Sequence, residues 1–337
     1  MATTMKNKSK FIFYMAYLMF ILIFVFALFF IFNRRVEKGY MMNQTLSSGM
    51  TYDYYVPDSY RHNEQTPLLV VLHGGHQSAE DIASITQMNQ LAEEHGFIVL
   101  YPQQSTDLNP SGYWNWFLEE NQQRAGQELD YIIQMVQEIQ ETYTIDENQQ
   151  YLAGLSAGAA MALNLQILYP DFFQGVAMAA GIGYGIAENV VQAYSVMAGN
   201  LPDVESSVLK AYQRMPSEFN HLLRLLIFQG DEDDRVDPAN ASFIVQQIAL
   251  LNDYLDDGKA NGSFSQIPFD KTNGVTNDGL DYQEEKYMYQ QELYIQYTLV
   301  KDMGHVWPGW QASQSNSDPN APLMSQAIVD FFSLDNH

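Results

Sequence analysis

Residues Tyr151–Leu165 have the sequence YLAGLSAGAAMALNL, and they form the most informative segment of the chain. A short apolar run ends in GLSAG at positions 154–158, and a run of small and apolar residues follows it. This is the pattern G-x-S-x-G between a strand and a helix, where the glycines allow a tight turn that exposes the serine hydroxyl. The context predicts that Ser156 is a nucleophile, and the alternative is a glycine-rich helix cap.

The segments on either side of this motif alternate between strand-like and helix-like patterns. Short apolar runs bounded by turn residues indicate buried strands, and apolar residues three and four apart indicate amphipathic helices. This alternation predicts an α/β fold with a mostly parallel central sheet and helices on both faces. The predicted strands are Tyr52–Val56, Pro67–His73, Phe97–Tyr101, Gln150–Leu155, Gly175–Ala180, Leu223–Gln229 and Leu293–Val300. The predicted helices are Glu80–His95, Gln122–Tyr143, Ala157–Tyr169, Ala239–Leu255 and Ala321–Phe332.

Three segments fall outside this alternation. Gly39–Ser48 is predicted to be a polar linker, and Asp256–Tyr282, rich in Gly, Asn, Asp and Ser, is predicted to be a surface insertion. The glycines at 181, 183 and 185 do not follow the dinucleotide-binding pattern, so they predict a loop near the site.

A serine hydroxyl is a poor nucleophile and needs a base that is held by an acid. In hydrolases with this strand–helix motif the order along the chain is Ser, Asp or Glu, then His. The strand that ends at Gln229 leads into GDEDDRV at 230–236, where the spacing G-x-x-D-x-x-V favours Asp233 as the acid. Asp231 and Asp234 remain alternatives, as does a solvated acidic loop. A calcium loop is disfavoured because Arg235 lies in the cluster and the sixth position is not glycine.

The base candidate is His305, in MGHVWPG at 303–309, shortly after the last predicted strand. Of the seven histidines, only His305 and His337 follow Asp233, and His337 is the terminal residue. These positions predict His305 as the general base, and the alternative is a structural histidine.

The reaction of a serine nucleophile also needs donors for the oxyanion that forms. One should be the backbone N–H of Ala157, directly after the nucleophile, and the second should come from HGGHQ at 73–77. Gly75 is the predicted second donor, with His76 as the next choice. His73 and His76 are an unconvincing metal pair, because no third ligand and no H-E-x-x-H helix accompany them. No metal is therefore predicted.

The charge and the cysteine count of the chain exclude several classes of binding partner and site. The 337 residues include 40 acidic and 16 basic side chains, which gives a formal net charge of −24. Phosphate binding needs a basic surface, so nucleic acid is not an expected partner. The chain has no cysteine, which excludes disulfides, thiolate metal sites and a cysteine nucleophile. Residues 1–40 carry +5, so the remaining chain carries −29.

The N-terminal segment has a membrane-anchor pattern. Phe11–Phe32 is a run of 22 residues without charge, which spans about 33 Å as a helix against a hydrocarbon core of roughly 30 Å. No Ala-x-Ala-like cleavage site follows it, so an uncleaved transmembrane helix at 11–32 is expected, with a cleaved signal as the alternative. The expected domains are an anchor and linker at 1–40 and a catalytic domain at 41–337. Basic residues flank both ends of this run in nearly equal number. Their distribution slightly favours a single-pass cell-membrane protein whose catalytic domain is extracytoplasmic.

Six segments together resemble the polyhydroxybutyrate depolymerase and feruloyl esterase group of α/β-hydrolases. They are PLLVVLHGGHQSAEDI, FIVLYPQQ, WNWF, YLAGLSAGAAMALNL, FQGDEDDRVDPAN and MGHVWPG, in the order of that group and spread over Tyr52–Phe332. The resemblance implies the α/β-hydrolase fold, with Ser156, Asp233 and His305 as the catalytic triad and Gly75 and Ala157 as oxyanion donors. It also implies an exported esterase that acts on short-chain polyesters or on aryl and acetyl esters of plant polysaccharides and needs no cofactor.

The chain departs from that group at three positions. Many members have cysteine at the positions of Gly75 and Tyr113, and both cysteines are absent here. Trp310 stands where a second glycine is usual after the histidine. All four tryptophans, Trp114, Trp116, Trp307 and Trp310, lie near motif residues in the sequence. We expect His76, Trp116 and Trp307 to contact substrate, with core packing as the alternative for the tryptophans.

The expected function is that of a membrane-anchored serine esterase that works through an acyl-enzyme on Ser156. A serine peptidase on the same fold is one alternative, since the triad does not distinguish esters from amides. A non-catalytic surface-binding protein with a hydrolase fold is the other. The strongly acidic body should disfavour polyanionic substrates, and the sequence leaves the oligomeric state open.

Overall fold

The computed structural model describes residues 15, 19–21, 37–219, 221–309 and 316–335. The predicted anchor at 11–32 lies almost wholly outside the described residues, as do Trp310 and His337. No helix in the described part of the chain is long and apolar enough to cross a membrane. The chain divides into two compact units, Met1–Glu37 and Lys38–His337, and the fold described below is that of the second.

The second unit is built on one twisted sheet whose ten strands have the order β1-β2-β4-β3-β5-β6-β7-β10-β9-β8. The six strands from β4 to β10 in this order pair in parallel, and the strands outside them pair antiparallel. The bounds are β1 Gly39–Thr45, β2 Thr51–Val56, β3 Thr66–Leu72, β4 Ile98–Pro102, β5 Ile145–Leu155, β6 Gly175–Ala179, β7 Arg224–Gly230, β8 Asp270–Val275, β9 Asp281–Tyr289 and β10 Glu292–Val300. Two short segments, β11 Trp307–Pro308 and β12 Ser317–Asp318, form a separate parallel pair.

The second unit contains eight α-helices, and several of them cover this sheet. Every residue of β3 is buried, because both faces of the parallel strands are covered. One set of alternating side chains, including Leu69 and Val71, packs against α1, α2 and α8, while α4 and α7 also contact the parallel strands. The bounds are α1 Ala79–Thr86, α2 Met88–His95, α3 Gln127–Thr142, α4 Ala157–Leu168, α5 Val190–Met197, α6 Val204–Arg214, α7 Ala239–Asp257 and α8 Met324–Phe332. The predicted α/β fold with a mostly parallel sheet is therefore confirmed.

Two of the predicted helices differ in detail. The helix expected at Glu80–His95 is two helices, because Gln87 adopts a left-handed conformation with φ 53° between them. The helix expected from Gln122 begins only at Gln127, after a short 3-10 helix at Glu119–Gln122. A glycine turn separates these two elements, and a Cβ on Gly126 would lie 1.9 Å from the carbonyl oxygen of Glu120.

The predicted linker at Gly39–Ser48 is wrong for most of its length, since Gly39–Thr45 is the edge strand β1. Asp53 of β2 holds it in place by accepting hydrogen bonds from the hydroxyl of Tyr40 at 2.9 Å and from the backbone N–H of Asn43 at 2.7 Å. The predicted surface insertion at Asp256–Tyr282 contributes β8, which extends the sheet at its other edge. Neither strand has a buried residue, as is expected at the edge of a sheet, so their sequences lack the continuous apolar pattern of a buried strand.

Candidate active site

Ser156 occupies the turn between β5 and α4 in a strained backbone conformation, with φ 58° and ψ −120°. A non-glycine residue at this φ is uncommon and carries strain. The flanking glycines permit the turn, since a Cβ on Gly154 would lie 2.5 Å from the carbonyl carbon of Gly158. The backbone N–H of Ser156 donates to the carbonyl of Ala179 at 2.9 Å, which fixes the turn to β6. The sequence pattern thus produces the sharp strand–helix turn that G-x-S-x-G requires.

Asp233 and His305 are brought together by two neighbouring strands. β7 and β10 pair in parallel from Leu225 with Ile295 to Gly230 with Val300, so the loops that follow them leave the same edge of the sheet. Nδ1 of His305 lies 2.8 Å from Oδ2 and 3.0 Å from Oδ1 of Asp233. The exposed fraction is 8% for the His305 side chain and 0% for the Asp233 side chain, so this pair is shielded from water.

The Asp233 carboxylate is further held by its own loop. Oδ1 accepts hydrogen bonds from the backbone N–H groups of Arg235 and Val236, both at 2.9 Å. Burial acts to raise the pKa of Asp233, but the hydrogen bond and charge of His305 and these backbone donors outweigh it, so the pKa lies below its ordinary value. The side chain is therefore a charged acceptor for the imidazole.

Of the three aspartates that the sequence left open, Asp233 is the one that contacts His305 among the described residues. Asp231 is exposed, and its Oδ1 accepts from the backbone N–H of Asp302 at 2.6 Å. Asp234 is exposed on the same loop.

The loop after β3 presents one free backbone donor. The N–H of Gly74 donates to Oε1 of Gln77 at 2.7 Å, and the N–H of His76 donates to the carbonyl of Ser111 at 3.1 Å. Between them, the N–H of Gly75 has no hydrogen-bond partner within the described ranges. Ala157 is the first residue of α4, where backbone N–H groups lack partners within the helix. Gly75 and Ala157 thus retain the donors that an oxyanion needs, whereas that of His76 is occupied.

His73 anchors this loop in a way that the sequence did not indicate. Its Nδ1 lies 2.8 Å from the carbonyl oxygen of Gly74, and its Nε2 accepts from the backbone N–H of Gln104 at 3.1 Å. Complete burial lowers the pKa of His73 to about 4, although the bond to Gly74 opposes the shift. A neutral ring with Nδ1 protonated satisfies both hydrogen bonds. Because both nitrogens are engaged, His73 and His76 do not form the metal pair that was considered as an alternative.

Two neighbouring pockets meet at this site. The first, of about 260 Å³, contains Ser156 and His305 together with Gly75 and His76. The second, of about 230 Å³, is lined mainly by aromatic and aliphatic side chains from the 109–117 loop and α5. Tyr113 and Met197 line both pockets, so the two are adjacent. The side chains lining the second pocket are Asn109, Ser111, Tyr113, Trp114, Trp116, Phe117, Val190, Ala193, Tyr194 and Met197.

The expected substrate-contacting residues separate into two groups. His76 lines the catalytic pocket and Trp116 lines the apolar pocket. Trp307 is completely buried in the core beside α8, where its Nε1 donates to Oγ of Ser325 at 3.0 Å, and it lines neither of the two pockets described above. The glycine loop at 181–185 lines neither of these two pockets, and Gly183 lies against Phe243.

Several pocket residues were not predicted from the sequence. Met197, Arg235 and Asn316 line the catalytic pocket, and Tyr113 and Gln77 complete it. Gln77 and Arg235 lie within the HGGHQ and GDEDDRV segments, and Tyr113 is one of the positions where the chain departs from the resembled group, but none of the five was predicted to line the site. Met197 and Asn316 come from α5 and from the segment before β12, whose approach to the site depends on tertiary packing.

The sequence is similar to a known protein family and to several characterised proteins. The model of the family Esterase PHB depolymerase matches residues 50–265. Poly(3-hydroxyalkanoate) depolymerase C of Paucimonas lemoignei is 32% identical over 182 residues, which cover 54% of this chain and 44% of that protein. Feruloyl esterase B of Thermothelomyces thermophilus is 27% identical over 207 residues, 57% of this chain and 67% of its own length. The chain thus matches less than half the length of the depolymerase.

A similarity to a solved structure supports the same fold. An acetyl xylan esterase from Aspergillus awamori superimposes with a TM-score of 0.66 at 16% identity, over 86% of this chain and 96% of that one. At this identity the similarity concerns the fold alone. The strand order, the family match and this superposition together confirm the expected α/β-hydrolase-like fold.

Proposed function

The chain belongs to the Esterase PHB depolymerase family, and on that basis we propose that it is a serine-dependent carboxylic ester hydrolase. The observation that carries this proposal is the arrangement of three residues. Ser156 lies in its strained turn in the same pocket as His305, and His305 is hydrogen-bonded to the buried carboxylate of Asp233 at 2.8 Å. A nucleophile, a base and an acid that orients the base are the minimum set for acyl transfer through serine.

The proposed reaction begins when the Ser156 hydroxyl attacks the ester carbonyl while Nε2 of His305 accepts its proton. Asp233 stabilises the resulting imidazolium through Nδ1. The backbone N–H groups of Gly75 and Ala157 donate to the oxyanion of the tetrahedral intermediate. This intermediate collapses as His305 protonates the leaving alkoxide, which releases the alcohol and leaves an acyl-enzyme. Water, deprotonated by His305, then attacks the acyl group, and the carboxylic acid leaves as the hydroxyl of Ser156 is restored.

The two pockets favour a neutral ester with one apolar substituent. The catalytic pocket is lined by polar groups, whereas the adjoining pocket presents Trp116, Phe117 and Tyr194. Contact between an apolar substituent and these rings removes apolar surface from water on both sides. The relatives named above include a poly(3-hydroxyalkanoate) depolymerase and a feruloyl esterase. We propose that this chain acts on the same general class, short hydroxyalkanoate or aryl esters, and that its net charge of −24 disfavours polyanions.

The test compares the parent protein with Ser156→Ala on p-nitrophenyl acetate and butyrate. The parent should hydrolyse both esters, and Ser156→Ala should lose this activity while keeping the circular dichroism spectrum of the parent. Undiminished turnover by Ser156→Ala would contradict the proposal. A matched set of peptide p-nitroanilides addresses the peptidase alternative, and failure of a fluorophosphonate probe to label the parent would favour a non-catalytic role.

We also propose that Phe11–Phe32 anchors the catalytic unit at a membrane, with the cell membrane and an extracytoplasmic catalytic domain as the favoured arrangement. The support is the uncharged run of 22 residues in the sequence. The expressed full chain should remain with the membranes after carbonate extraction, whereas a chain starting at Tyr40 should be released. Release of the full-length, unprocessed chain by carbonate would refute the anchor.

A further inference from the structure

Gln229 contacts the same carboxylate oxygen as the candidate base. It is completely buried near the end of β7, and its Nε2 donates to Oδ2 of Asp233 at 3.0 Å. Nδ1 of His305 lies 2.8 Å from that same oxygen. A single oxygen of Asp233 therefore accepts one hydrogen bond from the imidazole and one from the amide of Gln229.

The orientation of the Gln229 amide is fixed by what surrounds its nitrogen. Besides Asp233, Nε2 lies 3.1 Å from the carbonyl oxygen of Gly230 and 3.4 Å from that of Val236. All three partners are acceptors, so the NH₂ end has to face them, because the reversed amide would set its oxygen against a carboxylate. In consequence Oε1 of Gln229 is buried without a hydrogen-bond partner in the described part of the chain.

A buried amide oxygen without a partner is unfavourable, and such a group calls for an explanation. A leucine or methionine would fill the same space without leaving a polar atom unsatisfied. What these side chains lack is a donor for Oδ2 of Asp233. Hydrogen bonds to a charged group are the strong ones, so the contact with Asp233 is the feature of Gln229 that offsets its unsatisfied oxygen.

We propose that Gln229 is a positioning residue for the reaction, which holds Oδ2 of Asp233 in line with Nδ1 of His305. This inference rests on the proposed function, in which Asp233 orients the base. The backbone donors of Arg235 and Val236 hold only Oδ1. Gln229 donates to Oδ2, the oxygen nearer to the imidazole. The two sets of donors together fix the plane of the carboxylate.

The donor from Gln229 should also affect how readily the Asp233–His305 pair binds a proton. A donor to Oδ2 stabilises the form of the pair in which Asp233 is charged and His305 is neutral. Without that donor the pair binds a proton more readily, so its titration moves to higher pH. Among the described residues, the other charged or titratable groups that line this pocket or lie on the loops after β7 and β10 are His76, Tyr113, Asp231, Glu232, Asp234, Arg235, Asp237 and Asp302.

The experiment replaces Gln229 by methionine, which has nearly the same shape and no donor. Gln166→Met is the matched control, since Gln166 is also fully buried, donates to the carbonyl of Arg224 at 3.0 Å and has an unpartnered Oε1. It lies on α4 about 15 Å along the helix axis from Ser156. Two quantities are measured in each protein, the imidazole titration of His305 by NMR, assigned with His305→Gln, and the pH profile of kcat/KM.

We expect Gln229→Met to move the midpoint of the His305 titration and the acidic limb of kcat/KM upward by roughly half to one pH unit. Gln166→Met should leave both where they are in the parent, even if its thermal stability falls. A purely structural role for Gln229 predicts lower stability with an unmoved titration. Superposable titrations of the parent and Gln229→Met, or equal shifts in both variants, would overturn the proposal.

A second variant guards against a failure of Gln229→Met to fold. Gln229→Leu also removes the donor to Oδ2 of Asp233, because its side chain has no N–H group, and it is shorter than methionine. The His305 titration should shift upward, as in Gln229→Met. An unshifted titration in Gln229→Leu would overturn the inference. The NMR titration does not require turnover. A failure of the esterase proposal can therefore be distinguished from a failure of this inference.

Discussion

The ring of Tyr113 fills the space that a side chain on Gly75 would need. A Cβ atom on Gly75 would lie 2.1 Å from Cε1 of Tyr113, well inside van der Waals contact. The same ring meets the imidazole of His76 edge to face, with their centroids 4.9 Å apart. In the resembled group cysteines often stand at both positions, and here a glycine and an aromatic ring stand there together. Packing of this ring against Gly75 and His76 thus connects the two loops beside the proposed oxyanion donor.

Gly75→Ala should therefore impair the reaction more than the fold. The added methyl group has to displace Tyr113 or the backbone of Gly75, which moves the proposed oxyanion donor. Loss of one such donor typically costs on the order of 10²–10³ in kcat, so we expect a decrease approaching that range on p-nitrophenyl butyrate. Tyr113→Ala opens the space, so the double variant Gly75→Ala/Tyr113→Ala should recover part of the loss. Equal activity of the single and double variants would show that the Gly75–Tyr113 contact does not position the donor.

Asp233→Asn should reduce kcat far more than the same change at Asp231 or Asp234. The amide keeps the shape of the side chain but removes the charge that stabilises the imidazolium and selects the tautomer. For a triad this costs about three to four orders of magnitude. Asp231→Asn and Asp234→Asn are the matched controls, since both residues are exposed on the same loop, and they should stay within roughly threefold of the parent. A large loss in either control would reopen the identity of the acid.

The motifs identified Ser156, Asp233 and His305 because each follows a strand that belongs to the parallel part of the sheet. The carboxyl ends of such strands meet at one edge, so a local pattern is enough to bring the three loops together. Gly75 and Ala157 follow from the same reasoning, since each lies next to a motif residue at the end of β3 or β5. The sequence therefore predicted the elements that form the candidate site.

The features that the sequence did not predict depend on the direction in which a side chain points and on how elements distant in sequence pack together. Trp307 lies two residues after His305, yet β11 turns its indole into the core, where Ser325 accepts its N–H at 3.0 Å. Met197 reaches the catalytic pocket from α5, a helix that no motif marks. Gly39–Thr45 has only a short apolar stretch followed by polar residues, and β1 is an edge strand without a fully buried residue. Position along the chain does not reveal which way a side chain points, and an edge strand needs no buried face.

The buried His73 should make stability depend on pH between its unfolded and folded pKa values. Burial lowers its pKa from 6.5 to about 4, so between these values the unfolded chain binds a proton that the folded chain does not. The contribution is fully present above pH 6.5 and is lost as the pH falls towards 4, at most roughly 3 kcal/mol. Urea unfolding of the parent and His73→Asn at pH 7.0, 6.0 and 5.0 isolates it, because asparagine does not titrate. The stability difference between the two proteins should shrink as the pH falls. A difference that stays constant would mean that His73 titrates normally in the folded state.

The apolar pocket should select the substituent of the ester by size. Ala193 lines it and is 4% exposed, so Ala193→Leu fills part of the space with three additional carbon atoms. Each excluded methylene of a substrate is worth about 0.8 kcal/mol, and the ratio of kcat/KM for p-nitrophenyl butyrate over acetate should fall roughly tenfold. Val191→Leu is the matched control, because Val191 is on the same helix, is 74% exposed and is not among the residues that line this pocket. It should leave the ratio unchanged. If Ala193→Leu lowers both esters equally, the acyl chain does not enter this pocket, and if it leaves both esters unchanged, the proposed binding of an apolar group beside Trp116 is wrong.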